Sequence, residues 1–387
     1  MKKTLVLIFA MLCMSITTAY SCTSVIVSGR LSPDGRPMIM KNRDSYTFSN
    51  AMAVIHGERH RFLAVVNAGK EDDHQAWSGH NDAGFAIANT AAYNLNGSGV
   101  NDGRVMYRAL ELCATLKDFE NMLDTLRRPM KVDSNFAVLD AEGGCAYYEV
   151  GDSGYVKFDC NDPMLAPYGY MVRTNHAYTG ERRRDKGVDR YYAIADFMLR
   201  AYRNDYMDAE SLITMIPRYL THGGTRVNLY DMMPDDASAT LTCPFSDFIP
   251  RDVTTSVELI QGVRPGEDPL LTCAWCIVGN PLTTPVTPLY LLNDDALPAV
   301  VSKNADGVSV LCEQGLERKK IIFNDDDDII LGRLINKQGD GVLQQVRMDD
   351  KEILERHEDL LDALKGKYDA KAIKEYYRWL DEYLHIK

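Results

Sequence analysis

Apolar and polar residues alternate in short runs directly after residue 21, as is typical of strands joined by tight turns. Residues 23–27 form a β-branched run, residues 33–36 supply the Pro, Asp and Gly of a turn, and residues 37–44 return as a second strand. A hairpin brings the end of its second strand back beside the start of its first. We therefore expect Asp44 to lie close to Cys22.

The same analysis predicts the other elements of the chain. Strand patterns recur at 62–67, 76–78, 84–90, 135–140, 145–150, 256–260 and 271–278. Helical spacing of apolar residues occurs at 105–128, as two helices that meet near Thr115, and also at 189–202 and 209–220. Two charged amphipathic helices are predicted over 349–387. Groups of strands thus alternate with groups of helices, which predicts an α+β fold rather than a regular βαβ succession.

The first 21 residues have a different pattern. Two lysines precede an apolar run at residues 5–14, and Ala19 and Ser21 supply the small residues of a signal-peptidase site. This run is too short to span a bilayer, and no later window is long and apolar enough. We expect a signal peptide over 1–21 and a periplasmic or secreted mature protein without a membrane span.

Composition narrows the possible partners. A formal net charge of −12 argues against nucleic acid, because phosphate binding needs clustered Lys and Arg. The hydrophobic fraction of 45% is enough for a substantial core. Of the nine cysteines, Cys13 lies in the predicted signal, and most of the others stand in apolar stretches where buried free thiols are common.

Cys22 is the main candidate for chemistry. A cut after Ser21 makes it the first residue, with a thiol and an α-amine whose ordinary pKa is about 7.7–8.0. Nucleophile and base then belong to one residue. Two alternatives stay open: an ordinary cysteine of the first strand, or a lipid-anchoring cysteine of a ligand-binding lipoprotein. Ala19 stands where a lipoprotein signal normally has a Leu-like residue.

The predicted hairpin supplies candidate partners for Cys22. Asp44 is placed to hold the α-ammonium form. Lys41 and Arg43 are cations that lower the pKa of a nearby thiol or pair with a substrate carboxylate. A charged residue at a strand end without any catalytic role explains each of the three as well.

Two asparagines are candidate donors to an oxyanion. Asn89 and Asn175 both follow apolar runs, where a polar amide must find a partner. A structural hydrogen bond satisfies them equally well. His176, next to Asn175, offers a Cys/His pair as an alternative.

Neither metal nor cofactor is expected. The acidic run 325–328 lacks the alternating ligand spacing of a calcium loop, and a solvated turn is the simpler interpretation. Cys273 and Cys276 have redox spacing, but a single pair cannot supply a zinc site and core packing explains it better. The sequence contains no Gly-rich phosphate loop.

Several motifs in a fixed order resemble the N-terminal-nucleophile (Ntn) hydrolases of the isopenicillin N acyltransferase (acyl-CoA:6-aminopenicillanic acid acyltransferase) group, which are related to the choloylglycine hydrolases. The motifs are Cys22-Thr-Ser-Val-Ile-Val, Pro33-Asp-Gly-Arg-Pro37, Lys41-Asn-Arg-Asp44, Gly79-His-Asn-Asp-Ala-Gly-Phe-Ala-Ile-Ala-Asn89, Arg173-Thr-Asn-His176 and Gly279-Asn-Pro-Leu-Thr-Thr-Pro285. They are spread over about residues 22–290.

The resemblance implies a four-layer αββα sandwich with two antiparallel sheets. We assign this domain to residues 22–345 and, from the pattern of charged amphipathic helices, a C-terminal helical extension to residues 346–387. It implies cleavage or transfer of an acyl group at an amide C–N bond of a small molecule, without metal or organic cofactor. Cys22 matches the nucleophile, Asp44 the acid beside it and Asn175 the oxyanion-hole amide. Asn89 lies near a second such position.

Two departures bear on the substrate. Bile-salt hydrolases carry Arg where Lys41 stands. A later active-site Arg of theirs has no clear match, because Glu258 and Gln261 occupy the corresponding stretch and Arg251 is only a nearby substitute. We therefore predict an exported cysteine amidohydrolase or acyltransferase for a non-peptide or N-acyl amide, with cysteine dipeptidase and bile-salt hydrolase as alternatives. The long C-terminal helices favour a homo-oligomer, although the oligomeric state stays open.

Overall fold

The computed structural model describes residues 21–70, 73–304 and 307–385. The predicted signal peptide, apart from Ser21, lies outside the described residues. Within them, no helix is long and apolar enough to cross a membrane.

The strands of the described residues are β1 (Thr23–Val27), β2 (Met38–Asp44), β3 (Asn50–His56), β4 (Arg61–Asn67), β5 (Ser78–Asn81), β6 (Ala86–Ala91), β7 (Ser134–Leu139), β8 (Cys145–Val150), β9 (Tyr155–Asp159), β10 (Tyr170–Arg173), β11 (Thr242–Cys243), β12 (Thr254–Gln261), β13 (Cys273–Ile277), β14 (Thr287–Tyr290) and β15 (Ile329–Ile330). The helices are α1 (Asp102–Leu112), α2 (Leu116–Thr125), α3 (Val188–Arg203), α4 (Ala209–Met215), α5 (Val310–Ile322), α6 (Leu331–Leu334), α7 (Val342–Leu364) and α8 (Ala370–His385).

Two large antiparallel sheets organise the fold. One has six strands in the order β10-β1-β2-β12-β13-β14, and the other has seven strands in the sequential order β3 to β9. Strands β11 and β15 form a separate small pair. The β1–β2 hairpin pairs Thr23 with Asn42 and Ser24 with Lys41, so the end of β2 returns beside Cys22 as predicted.

Helices cover the outer face of each sheet, which confirms the predicted αββα sandwich. Helices α1 and α2 share a core with the seven-stranded sheet through residues such as Phe62 and Phe119. Helices α3, α4, α7 and α8 pack against the six-stranded sheet. Ile26, Ile39 and Ala88 belong to a further apolar cluster that joins the two sheets.

Most predicted elements are present, within a few residues of their predicted ends. Thr115 caps α2 through a reciprocal capping box with Asp118, which explains the predicted break between two helices at this point. Strands β3, β9, β10, β11, β14 and β15 and helices α5 and α6 were not predicted. Helix α7 begins at Val342, ahead of the predicted boundary at 345/346, and that boundary stays a prediction.

Glu258 on β12 is buried directly opposite Lys41 on β2. It accepts a short hydrogen bond from the Ser78 hydroxyl. Burial raises the pKa of the Glu258 carboxyl to about 7 and lowers the pKa of the Lys41 ammonium to about 8. Each group stabilises the charged form of the other, but removal from water has the larger effect on both.

We expect Glu258→Gln to change how stability depends on pH. Between pH 4.5 and about 7 the folded protein binds more protons at Glu258 than the unfolded chain does, so its free energy of unfolding falls as pH rises. The fall is at most about 3 kcal/mol. Urea unfolding across this range should show that the free energy of unfolding of Glu258→Gln rises, relative to that of the wild type, by up to about 3 kcal/mol as the pH increases. A difference that does not change with pH would contradict the prediction.

Arg218 and Asp350 form a buried ion pair that joins α7 to the body of the fold. Arg218 donates from two nitrogens to the Asp350 carboxylate and from Nε to the Pro281 carbonyl at 2.8 Å. Asp350 also accepts the Val286 N–H at 2.9 Å. Helix α7 is therefore held to the core by a charge pair as well as by apolar contacts.

Asp350→Ala is expected to lower the free energy of unfolding by about 3–5 kcal/mol, because it leaves the buried Arg218 without its counter-ion. Urea unfolding followed by circular dichroism measures this loss. The control is Lys351→Ala on the same helix, which removes only an exposed pair with Glu355 and should cost less than about 1 kcal/mol. Equal losses of unfolding free energy in the two variants would contradict the prediction, because the buried pair would then stabilise the fold no more than the exposed one.

Candidate active site

A cavity of about 580 Å³ is lined by five of the predicted site residues, namely Cys22, Lys41, Arg43, Asp44 and Asn89. The side chain of Asn175 contacts the backbone nitrogen of Cys22. A residue just before β1, the end of β2 and the middle of β6 thus meet at one place, as the hairpin and the sandwich require.

Cys22 stands immediately before β1 and is only 4% exposed. Its N–H donates to Oδ1 of Asn175 at 3.0 Å, and its carbonyl accepts from Nη1 of Arg190 at 2.7 Å. Both backbone groups of Cys22 are therefore fixed by side chains. Cys22 thus lines the cavity while its backbone is held on both sides.

Asn175 follows β10, which pairs with β1 and so brings the asparagine back to Cys22. Its Oδ1 accepts from Cys22 and from Nη2 of Arg190 at 2.6 Å, and its Nδ2 donates to the Ala91 carbonyl at 3.0 Å. The amide thus presents its oxygen to the Cys22 nitrogen, a function that the sequence analysis did not predict. The role of Asn175 as an oxyanion donor stays a prediction.

Asp44 ends β2 and is buried. Its carboxylate accepts from the Thr254 hydroxyl at 2.6 Å and pairs with Nη1 of Arg251 at 3.3 Å. Burial raises the pKa of Asp44, and the neighbouring Arg251 and Arg190 guanidinium groups oppose that rise. Arg251, named from sequence as a substitute for a later arginine, therefore lies against the predicted acid of the site.

Lys41 and Asn89 form a direct contact across the two sheets. Nζ of Lys41 donates to Oδ1 of Asn89 at 2.6 Å and to the Trp77 carbonyl at 2.6 Å. Nδ2 of Asn89 donates to the Ser134 hydroxyl at 2.8 Å. The charges of Cys22 and Glu258 partly offset the burial that lowers the pKa of Lys41. Lys41 thus places a titratable cation in the cavity beside the thiol.

Arg43 contacts the other sheet at several points. Its guanidinium lies 4.6 Å from the centroid of the Trp77 ring and donates to the side-chain oxygens of Asn50 and Asn67. Side chains two apart on a strand share a face, so Arg43 points to the same side of β2 as Lys41. Its contacts are those of a residue that ties β2 to β3 and β4.

Sequence reasoning missed several residues of this site. Asp102 and Asp133 line the cavity, where burial raises the pKa of Asp102 to about 7 and that of Asp133 to about 6. Tyr93 lines it too. Arg190 contacts the Cys22 main chain. Of these residues, only the two acids could have been noticed in the sequence, because Asp102 begins a helix and Asp133 precedes a strand. No sequence pattern pointed to Arg190.

The alternatives for other chemistry find no counterpart here. His176 bonds to the Lys186 carbonyl at 3.1 Å and packs against Tyr191, and it makes no contact with Cys22. Cys273 and Cys276 are buried free thiols on β13. Among residues 21–70, 73–304 and 307–385, no group of three or more His, Cys, Asp or Glu side chains is arranged to hold a metal ion.

Known proteins resemble the chain at two levels. A family model described as acyl-coenzyme A:6-aminopenicillanic acid acyl-transferase matches residues 31–210. No curated protein compared with the chain is significantly similar in sequence.

Solved structures give weaker likenesses. A mutant of conjugated bile acid hydrolase from Clostridium perfringens has 11% identity and a TM-score of 0.43, covering 71% of this chain and 94% of that one. An N-acylethanolamine-hydrolyzing acid amidase ortholog from Caenorhabditis elegans has 14% identity and a TM-score of 0.38, covering 64% and 93%. Penicillin V acylase from Agrobacterium tumefaciens has 13% identity and a TM-score of 0.37, covering 70% and 86%. Because these scores are low, the fold assignment rests on the strand order itself.

The family match confirms the predicted resemblance over residues 31–210. The match ends at residue 210, so it includes β2, β6 and β10 but not β12. Over residues 31–210, the chain therefore carries the sequence pattern of the acyl-coenzyme A:6-aminopenicillanic acid acyl-transferase family, on an αββα sandwich.

Proposed function

We propose that the chain is an exported cysteine amidohydrolase that cleaves an amide C–N bond through a thioester on Cys22. One observation carries the proposal. Cys22 faces a cavity shared with Lys41 and Asp44, while its backbone nitrogen is held by an acceptor, Oδ1 of Asn175. A cysteine that begins the mature chain at this place has both its reactive groups oriented.

The reaction follows from these positions. The α-amine of Cys22 takes the thiol proton, and Sγ attacks the carbonyl carbon of the bound amide. Negative charge then develops on the carbonyl oxygen, where the amide groups of Asn175 and Asn89 are the proposed donors. The ammonium returns the proton to the leaving nitrogen, the C–N bond breaks, and the acyl group stays on Sγ.

Water completes the cycle in this proposal. The α-amine, again free, takes a proton from water as the oxygen attacks the thioester carbonyl, and the acid leaves while Sγ regains its proton. An amine in place of water would give acyl transfer instead. We favour water because acyl-CoA should be scarce outside the cell.

Asp44 and Lys41 are given supporting roles. Asp44 is a buried acid whose ionised form is favoured by two arginines, and it holds the ammonium form that arises during the reaction. The Lys41 cation favours the thiolate of Cys22. Arg251 acts through Asp44, and Arg43 through the position of β2.

The mature protein isolated from an exporting host is expected to begin at an unmodified Cys22, because removal of the signal uncovers the catalytic amine. Intact mass and N-terminal peptide analysis measure this. A diacylglycerol on Cys22 would instead favour the ligand-binding lipoprotein and would exclude the amine from catalysis.

Cys22→Ala is expected to abolish amide turnover and leave the far-UV spectrum and unfolding midpoint close to those of the wild type. The matched control is Cys312→Ala, a buried thiol whose removal takes no group from the site. Amide turnover near the wild-type rate in Cys22→Ala would refute the assigned nucleophile.

A substrate panel separates the remaining alternatives. N-acyl amino acids, conjugated bile salts and dipeptides are incubated with the wild type, and a mass increase on Cys22 identifies the acyl group carried. Hydrolysis of N-acyl amides is the expected result. Turnover of dipeptides alone would replace the amidase with a cysteine dipeptidase, and turnover of bile salts alone would indicate a bile-salt hydrolase.

A further inference from the structure

Arg190 is a buried cation that the mechanism above does not use. It lies in the first turn of α3 and is only 2% exposed. Its donors reach four oxygens that surround the start of β1. Nη1 donates to the Cys22 carbonyl at 2.7 Å and the Thr23 hydroxyl at 2.9 Å, and Nη2 donates to Oδ1 of Asn175 at 2.6 Å and the Ser21 hydroxyl at 3.2 Å.

The cost of burying this charge sets Arg190 apart. Arg173 and Arg218 are also buried, and each has a direct carboxylate partner, Glu149 and Asp350 respectively. Among the described residues, no carboxylate lies within ion-pair distance of Arg190. Removing a charge from water costs several kcal/mol, and hydrogen bonds offset that cost here. Three of the four acceptors belong to Cys22, Thr23 and Asn175, which the mature chain keeps, whereas the fourth belongs to Ser21, which the proposed cut removes.

The backbone around Arg190 is shaped to admit it. Gly187, which precedes α3, has a φ of +69°. A Cβ at Gly187 would lie 2.4 Å from Nη2 of Arg190 and 3.3 Å from Oδ1 of Asn175. Any larger residue at position 187 would therefore push the guanidinium away from Asn175. The glycine keeps the arginine and the asparagine in contact.

We propose that Arg190 is a positioning residue of the Cys22 site, which fixes the Cys22 carbonyl and the Asn175 amide in one arrangement and keeps a positive charge beside the reactive cysteine. The proposal rests on the function proposed above. By holding Oδ1 of Asn175, Arg190 sets which way that amide faces. By holding the carbonyl of Cys22, it limits rotation of the residue that carries both the thiol and the amine.

The charge of Arg190 has a second effect. A nearby cation stabilises the negative charge of a thiolate and disfavours an ammonium group. Other charged or titratable side chains line the cavity with Cys22 or act electrostatically on Arg190, and they are Lys41, Arg43, Asp44, Tyr93, Asp102, Asp133, Lys186, Asp247 and Arg251. They are the same in every Arg190 variant, so a difference between variants reports on Arg190.

Two substitutions separate the charge from the geometry. Arg190→Gln removes the charge, and we expect kcat/KM to fall on the order of 100-fold, mainly through kcat. We also expect the acid limb of the pH profile of kcat/KM to move about one unit to higher pH in this variant. Arg190→Lys keeps the charge without the planar fork, so kcat should fall while the acid limb stays in place.

A measurement without substrate makes the test independent of the proposed activity. The rate at which iodoacetamide alkylates Cys22, read on the Cys22 peptide by mass spectrometry, follows the thiolate fraction at each pH. Its midpoint should move about one unit to higher pH in Arg190→Gln and stay unchanged in Arg190→Lys. If the wild type hydrolyses no amide, the proposed function fails, and the alkylation curves still decide the role of Arg190.

Asp350→Ala serves as a control for lost stability, because it disrupts a buried arginine pair in another part of the fold. It should keep the wild-type midpoints of the pH profile of kcat/KM and of the pH dependence of Cys22 alkylation. A wild-type alkylation midpoint in Arg190→Gln overturns the proposal, as does the same shift in Asp350→Ala. If Arg190→Gln does not fold, Arg190→Lys decides: reduced kcat with wild-type midpoints supports the proposal, and wild-type kcat overturns it.

Discussion

The structure depends on strand β2, which is buried along its whole length between β1 and β12. Its sequence is nevertheless half polar, with Lys41, Arg43 and Asp44 in its last four residues. A buried charge must be paired or hydrogen-bonded. The elements around the end of β2 therefore carry hydrogen-bond or ion-pair partners for these charged side chains. The cavity lies where those partners meet.

Alternation along β2 distributes these charges between two faces. Lys41 and Arg43 share one face and bond to residues of the seven-stranded sheet, namely Asn89, Asn50 and Asn67. Asp44 lies on the other face, against the segment that leads into β12. The charged residues thus hold the two layers together and also supply the cations and the acid that a cysteine nucleophile needs.

The balance of buried charge around Cys22 favours anions. Lys41 and Arg190 are buried cations and Arg251 is a partly buried one, whereas burial raises the pKa of each nearby acid, namely Asp44, Asp102, Asp133 and Glu258. In a medium of low polarisability these charges act strongly on any group that ionises in the cavity. A thiolate and a developing oxyanion are both negative, so the site is suited to the proposed thioester chemistry.

Sequence patterns predicted the elements whose signal is local. The β1–β2 hairpin has a Pro-Asp-Gly turn, the break at Thr115 has a capping box, and β7 and β8 are joined by a Glu-Gly-Gly turn. Strands β3 and β9 and the short β10 gave no such signal. Residues of β9 are half-buried or exposed at the edge of its sheet, and β10 has only four residues, so neither shows a clear apolar alternation. Their place is fixed by the strands they pair with.

The sequence by itself determined that Asp44 lies near Cys22, because β2 returns antiparallel beside β1 after a short connection. It also determined the residue types of the site, through motifs that keep their order along the chain. Only the tertiary structure decided that Arg190, 168 residues from Cys22, contacts its carbonyl, and that Asn175 turns its oxygen to the Cys22 nitrogen. The reason is physical: local patterns record what a residue needs from its neighbours in sequence, whereas these contacts depend on how α3 and β10 pack against β1.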